Sequence, residues 1–136
     1  MTAKEYLLQI IYIDSRIEAN KEKVQRLKES AEGTTSNLSP NKVQTSTSKQ
    51  KMADAVINYA DLEKIIKADE EKKQGIIDTI SLLNPYESTV LYKRYVEDKS
   101  LWVISREMKK SYSWATKVHS TGIKNIQKII NEKAGG

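Results

Sequence analysis

Apolar residues return every three or four positions through the first part of the chain. Ala3, Tyr6, Ile10, Ile13, Ile17, Asn20, Val24 and Leu27 trace one seam that no Gly or Pro interrupts. Such a seam predicts a long helix over residues 3 to about 31. Periodicity is lost from Gly33 to Ser48, a stretch rich in Ser, Thr and Asn with Pro40 inside it. That composition reads as a mobile linker over 33–48. A second seam, Met52, Ala55, Tyr59, Leu62 and Ile66 with Val56 and Ile65 beside it, predicts a second long helix from near Gln50. The stretch Lys67 to Gln74 is nearly all charged, with Asp69 and Lys73 at would-be seam positions, and Gly75 follows. The apolar pattern then resumes at Ile76, Ile77, Ile80, Leu82 and Leu83. A helix continuous through the charged stretch is the expectation.

Shorter elements follow. Asn84 is a good N-cap and Pro85 suits a first helical turn, so a third helix is expected from Pro85 to about Val96, with Val90, Leu91, Tyr95 and Val96 facing inward. Glu97-Asp98-Lys99 reads as a turn. Ser100 caps a fourth helix running to about Lys109, and Ser111 caps a fifth running to about Lys133. Ile104 and Met108 lie four apart before the bend Lys109-Lys110-Ser111, and Ala115 and Val118 lie three apart after it. That is helix-turn-helix spacing. The fold class expected is all-α. Two long N-terminal helices, as a hairpin or coiled coil over 1–83, form a dimerisation or interaction region; residues 84–136 form a three-helix domain that binds DNA.

Charge sharpens this picture. Residues 1–83 hold 13 basic and 13 acidic side chains, whereas residues 84–136 hold 10 and 5, which supplies the whole net charge of +5. Residues 106–133 alone hold seven basic and two acidic groups. A basic patch confined to one end is the footprint of a polyanion binder. Cysteine is absent, which excludes disulfides and thiolate metal sites. The longest apolar stretch, Tyr6 to Ile13, is too short to span a membrane. The start of the chain lacks the layout of a signal peptide, so a cytoplasmic protein with no membrane partner is expected. The glycines are scattered and form no phosphate loop, and the carboxylates lie among lysines at helical surface spacing. Neither enzyme activity, nor a metal, nor a cofactor is therefore expected.

The stretch from Leu83 to Tyr95, with its proline-containing helix start and the Val90-Leu91-Tyr92-Lys93-Arg94-Tyr95 core, resembles the opening of sigma-factor region four. Ser100 to Met108 resembles the first helix of that region's helix-turn-helix, and Ser111 to His119 its recognition helix. With the long N-terminal helix, the linker and Lys42-Val43-Gln44-Thr45-Ser46 before the second helix, the chain is similar to small phage and prophage proteins of Gram-positive bacteria. These are allied to late-gene transcriptional regulators of the ArpU and RinA type. The resemblance implies a sequence-specific double-stranded DNA-binding protein that regulates phage transcription. It departs from the usual pattern at Lys109, where a helix-turn-helix commonly has Gly; a left-handed backbone there costs about 1 kcal/mol.

On the fifth helix, Ala115 and Val118 face inward, which turns Tyr112, Ser113, Thr116, Lys117 and Ser120 outward on its N-terminal turns, where a recognition helix meets the major groove. Ser and Thr hydrogen-bond to any base edge, and Lys117 reaches guanine or a phosphate. The set lacks Arg, Asn and Gln, the residues of sharpest bidentate readout, so modest discrimination per protomer and a second half-site are expected. Arg106, Lys109, Lys110 and Lys124 are assigned to phosphates, with simple solvation the alternative for Lys124. Ser111 caps the helix, with a phosphate contact from its amides as the further reading and the cap alone as the alternative. Trp114 packs as core or presses on the DNA backbone. Trp102, at an exposed helix position, meets a protein partner, DNA or another part of the chain. His119 abuts a phosphate or packs beside the third helix, and Gly122 marks a close helix approach or a tolerated neutral choice.

The expected partners are double-stranded DNA, host RNA polymerase and a second copy of the chain. The homodimer follows from the length of the first seam and from Asn20, a polar residue of the kind that fixes register. A small terminase-like subunit recognising a packaging site, or a module binding RNA polymerase with little DNA contact, are the competing readings.

Overall fold

The computed structural model describes the backbone of residues 1–31 and 45–135 and the side chains of residues 1–30 and 59–135. The described chain is all-helical: α1 (Ala3–Ala31), α2 (Thr45–Ile80), α3 (Pro85–Leu91) with a π-helical continuation (Tyr92–Val96), α4 (Leu101–Glu107) and α5 (Tyr112–Gly135). None of these helices is long and apolar enough to cross a membrane. Most of the expected linker, residues 33–44, lies outside the described residues. Thr45 to Ser48 already belong to α2, which starts one turn earlier than the apolar seam implies.

Contacts divide the chain into two compact units, residues 1–14 with 71–136 and residues 15–70. The boundary expected at 83/84 therefore falls inside the first unit. The reason is that both the start of α1 and the end of α2 pack with the C-terminal helices. The Ala3 amide, an orphan donor in the first turn of α1, donates to Gln127 Oε1 on α5 at 2.7 Å. Leu7, Ile10 and Ile80 are as fully buried as Val90, Leu91, Ile104, Ala115 and Ile126. Within this unit α1 and α2 run antiparallel. Tyr6 Oη and Thr79 Oγ1 share a hydrogen bond of 3.0 Å, and Lys73 reaches Asp14 at 2.7 Å.

In the second unit, residues 15–30 of α1 lie antiparallel to α2. Arg16 forks onto both Asp69 oxygens at 2.8 and 2.7 Å, and Lys28 sits over the Tyr59 ring at 5.1 Å. Ile17, Asn20, Val24 and Ile66 are buried there. The seam of α1 is thus covered by α2 of the same chain.

The charged stretch of α2 is helix without a break. Asp69 and Lys73 occupy inward positions because each has a partner across the helix pair, Arg16 and Asp14 respectively. Four apolar positions differ from the expectation. Leu7, absent from the expected seam, is fully buried, while Tyr6 is only partly so and spends its hydroxyl on Thr79. Ile65 and Leu82 are exposed, at 46% and 67%. Leu82 follows the end of α2, where a 3.6-residue period no longer directs side chains inward.

Candidate nucleic-acid interface

Local sequence sets the start of each C-terminal helix. Asn84 Oδ1 accepts from the Glu87 amide at 2.9 Å, Ser100 Oγ from Val103 at 3.2 Å, and Ser111 Oγ from Trp114 at 3.0 Å. These are N-caps. Glu87 is itself buried and accepts from Asn125 Nδ2 at 2.8 Å, which ties α5 to the start of α3. The backbone then tightens in a way no side-chain pattern announces. Tyr92–Val96 is π-helical, with Glu97 N donating to Tyr92 O at 3.1 Å, and Asp98 follows in the left-handed region at φ 56°.

The end of α4 sets the bend before α5. Lys109 has φ 57°. Its amide donates to Arg106 O at 3.1 Å, and the Lys110 amide to Ser105 O at 2.9 Å. This double closure around a left-handed residue is the Schellman arrangement. It ends α4 at Glu107 rather than at Lys109 and satisfies two orphan carbonyls. Lys109 thus holds the conformation usually given to Gly, as its place in the sequence implied.

α5 packs on α3 and α4 through Ala115, Gly122 and Ile126. A Cβ added at Gly122 would meet Leu91 Cδ1 at 3.1 Å, so the close approach of α3 accounts for that glycine. His119 also turns toward this side. Its Nε2 shares a 2.8 Å hydrogen bond with Tyr95 Oη and its ring stacks on Tyr95 at 5.7 Å. It packs beside the α3 continuation. Burial, then the charges of Arg94 and Lys4, push its pKa below the ordinary 6.5. Burial likewise raises the Tyr95 hydroxyl, against the pull of Arg94.

Opposite this packed side, Ser113, Lys117, Ser120 and Lys124 are exposed along α5, with Tyr112 53% exposed at its start. Thr116 is half-buried, and its hydroxyl donates to Ser113 O at 2.9 Å. That bond leaves its methyl and lone pairs as contact groups. Arg106, Lys109, Lys110 and Ser111 are exposed as well. Among the described residues, no carboxylate lies within ion-pair distance of Arg106, Lys109, Lys110, Lys117 or Lys124.

The cations preceding them contrast with this set. Lys93 and Lys99 each reach Glu107 at 2.9 Å, and Lys99 reaches Glu97 at 3.0 Å. Hydrogen bonds from Lys93 and Lys99 hold the Glu107 carboxyl below its usual range, and Glu107 in turn raises the Lys99 ammonium.

Trp102 is 55% exposed, with the Arg106 guanidinium 4.7 Å from its ring centroid. Trp114 is half-buried and meets Tyr86 of α3 edge to face at 5.6 Å. Tyr86, 57% exposed, has no place in the sequence-based site. The available signal was its position one residue after Pro85, off the Val90–Leu91 face. The described residues contain no cluster of three or more His, Cys, Asp or Glu side chains able to hold a metal. Compared with known protein families, curated proteins and solved structures, the chain matches none.

Proposed function

We propose that the protein is a sequence-specific double-stranded DNA-binding protein, a phage-type transcriptional regulator. In this reading α4, the bend Met108–Ser111 and α5 form a sigma region-four-like helix-turn-helix. Tyr112, Ser113, Thr116, Lys117 and Ser120 face base edges in the major groove; Arg106, Lys109, Lys110 and Lys124 grip phosphates. One observation carries the reading: among the described residues, Arg106, Lys109, Lys110, Lys117 and Lys124 are exposed and within ion-pair distance of no carboxylate, while Glu87, Glu97, Asp98 and Glu107 of the same half engage other side chains. Unpaired cations at the start of a long, capped helix suit a polyanion whose charges repeat at regular spacing.

The short polar side chains of α5 support modest discrimination by each helix, and hence two copies on a roughly symmetric site. α2 covers the α1 seam, so a second copy is favoured by this limited readout and not by an uncovered helix. Selection of bound sequences from a random duplex pool tests the whole reading. A shared half-site, shifted by substituting Thr116 and Lys117 with Ala, is the expected outcome. Enrichment of no sequence would remove specificity. Sedimentation equilibrium with and without the selected duplex would show whether a dimer forms.

A further inference from the structure

Two members of the exposed cation set lie over aromatic rings. The Lys110 ammonium lies 5.6 Å from the Trp114 ring centroid and 6.0 Å from that of Tyr86, two rings that brace each other at an interplanar angle of 89°. The Arg106 guanidinium covers the Trp102 ring. Lys109, between them in sequence, is equally exposed and has no ring contact among the described residues. Ring faces attract cations through their quadrupole. Tyr86 and Trp102 stay 57% and 55% exposed, each with one of these cations over its ring. Trp114, by contrast, is half-buried at the edge of the α3–α5 contact.

We propose that Trp102 and the Tyr86–Trp114 pair are positioning residues that hold Arg106 and Lys110 in place for the phosphates of duplex DNA. The inference rests on the DNA-binding reading above. Lysine and arginine lose much rotamer freedom when they grip a ligand. A ring that already holds the head group reduces that loss on binding. A guanidinium stacked by its face keeps its N–H edge free, and that edge makes the paired hydrogen bonds to a phosphate. Lys110, held by two rings at the start of α5, presents its remaining ammonium hydrogens outward in the same way. Tyr86 thereby joins the interface from α3, an element the helix-turn-helix pattern does not include.

The test is a double-mutant cycle read by fluorescence anisotropy of the full chain on a mixed-sequence duplex of about two helical turns. Tyr86→Leu should weaken binding about two- to fivefold, the range of an exposed cation–ring contact. Tyr86→Phe, which keeps the ring, should restore wild-type affinity. The loss should vanish in a Lys110→Gln background and persist undiminished in Lys109→Gln. Trp102→Leu should couple to Arg106→Gln in the same manner. A general disturbance of the bend would couple Tyr86 to both lysines alike. An equal loss in all backgrounds, or no loss from Tyr86→Leu, overturns the positioning role while leaving DNA binding intact. Failure of the wild-type chain to bind the duplex in any salt overturns the DNA reading, and the inference falls with it.

Discussion

Lys93 and Lys99 share a short stretch of chain with Lys109 and Lys110, yet the two pairs live under opposite conditions. The first pair is tied to Glu107, and one carboxylate fastens α4 to the π-helical segment. The second pair has no acidic neighbour within reach among the described residues. The difference shows where the net charge resides. Residues 84–136 hold five carboxylates. Glu97, Asp98 and Glu107 engage Lys93, Arg94 and Lys99, Glu87 is occupied by Asn125, and Glu132 lies outside these pairs near the end of α5. The excess positive charge therefore falls on Arg106 and beyond. Counting charges locates a basic region coarsely; the pairing pattern decides which cations can meet a ligand.

The largest expected effect separates the two pairs directly. Lys109→Gln with Lys110→Gln should weaken binding to every duplex alike and reduce the log–log salt slope by about two units. Raising salt from about 50 to about 200 mM would then cost the wild type roughly tenfold more affinity than the variant. Lys93→Gln with Lys99→Gln should leave the slope unchanged. Equal slopes for both double variants in anisotropy titrations would erase the distinction between paired and unpaired cations.

Next in size is the loss of Glu107. Glu107→Gln leaves Lys93 and Lys99 without their shared carboxylate, so the melting midpoint should fall. The sign of its pH dependence follows from its lowered pKa. Its stabilising contribution is fully present above the ordinary 4.5 and is lost as pH falls through the lower folded value. Thermal melts between neutral pH and pH 4 should show wild type and variant converging as the medium becomes acid. A constant gap over that range would mean the network does not stabilise through charge.

Much of this arrangement is legible in the chain because it depends on local chemistry. Asn84, Ser100 and Ser111 cap as their side chains dictate, and Lys109 takes the left-handed position that the helix-turn-helix spacing assigns it. The exposure of Lys117, Ser113 and Ser120 follows once Ala115 is placed inward. What escapes is whatever joins distant parts. Reading in chain order puts a boundary after Leu83, but the Ala3–Gln127 bond and buried Leu7 place the first turns of the chain with α5. The π-helical segment escapes as well, since one added residue in a turn leaves no mark on a 3.6-residue pattern. Tyr86 escapes because its meaning lies in Lys110 and Trp114, which only the fold brings near.

His119 sharpens the comparison with a third condition, a basic group held neutral in a packed site. Its folded pKa lies below 6.5 because burial, then Arg94 and Lys4, oppose protonation. The unfolded chain therefore takes up the proton first. Stability is complete above about pH 6.5 and declines as pH falls through the folded value. His119→Gln should flatten denaturant-measured stability between pH 7 and pH 5, while the salt slope for DNA at pH 7.5 stays at the wild-type value. A reduced slope would move His119 from the packed side to the phosphate set.

The smallest effect asks what Lys109 is for. Its left-handed backbone costs about 1 kcal/mol relative to a residue without a Cβ, and its side chain makes no ion pair or ring contact among the described residues. The two backbone closures at the end of α4 offset that strain, and they need the left-handed backbone but not the lysine side chain. Lys109→Gly should raise unfolding stability by up to about 1 kcal/mol, less the extra freedom Gly gives the unfolded chain. The same change should lower the DNA salt slope by about one unit. Glu107 and its two lysines are untouched, so the acid dependence of stability should persist. Urea titration and anisotropy on one protein preparation would measure both effects. A more stable variant with an undiminished slope would show that Lys109 serves neither the fold nor the phosphate, and would leave Lys110 as the cation that matters at the bend.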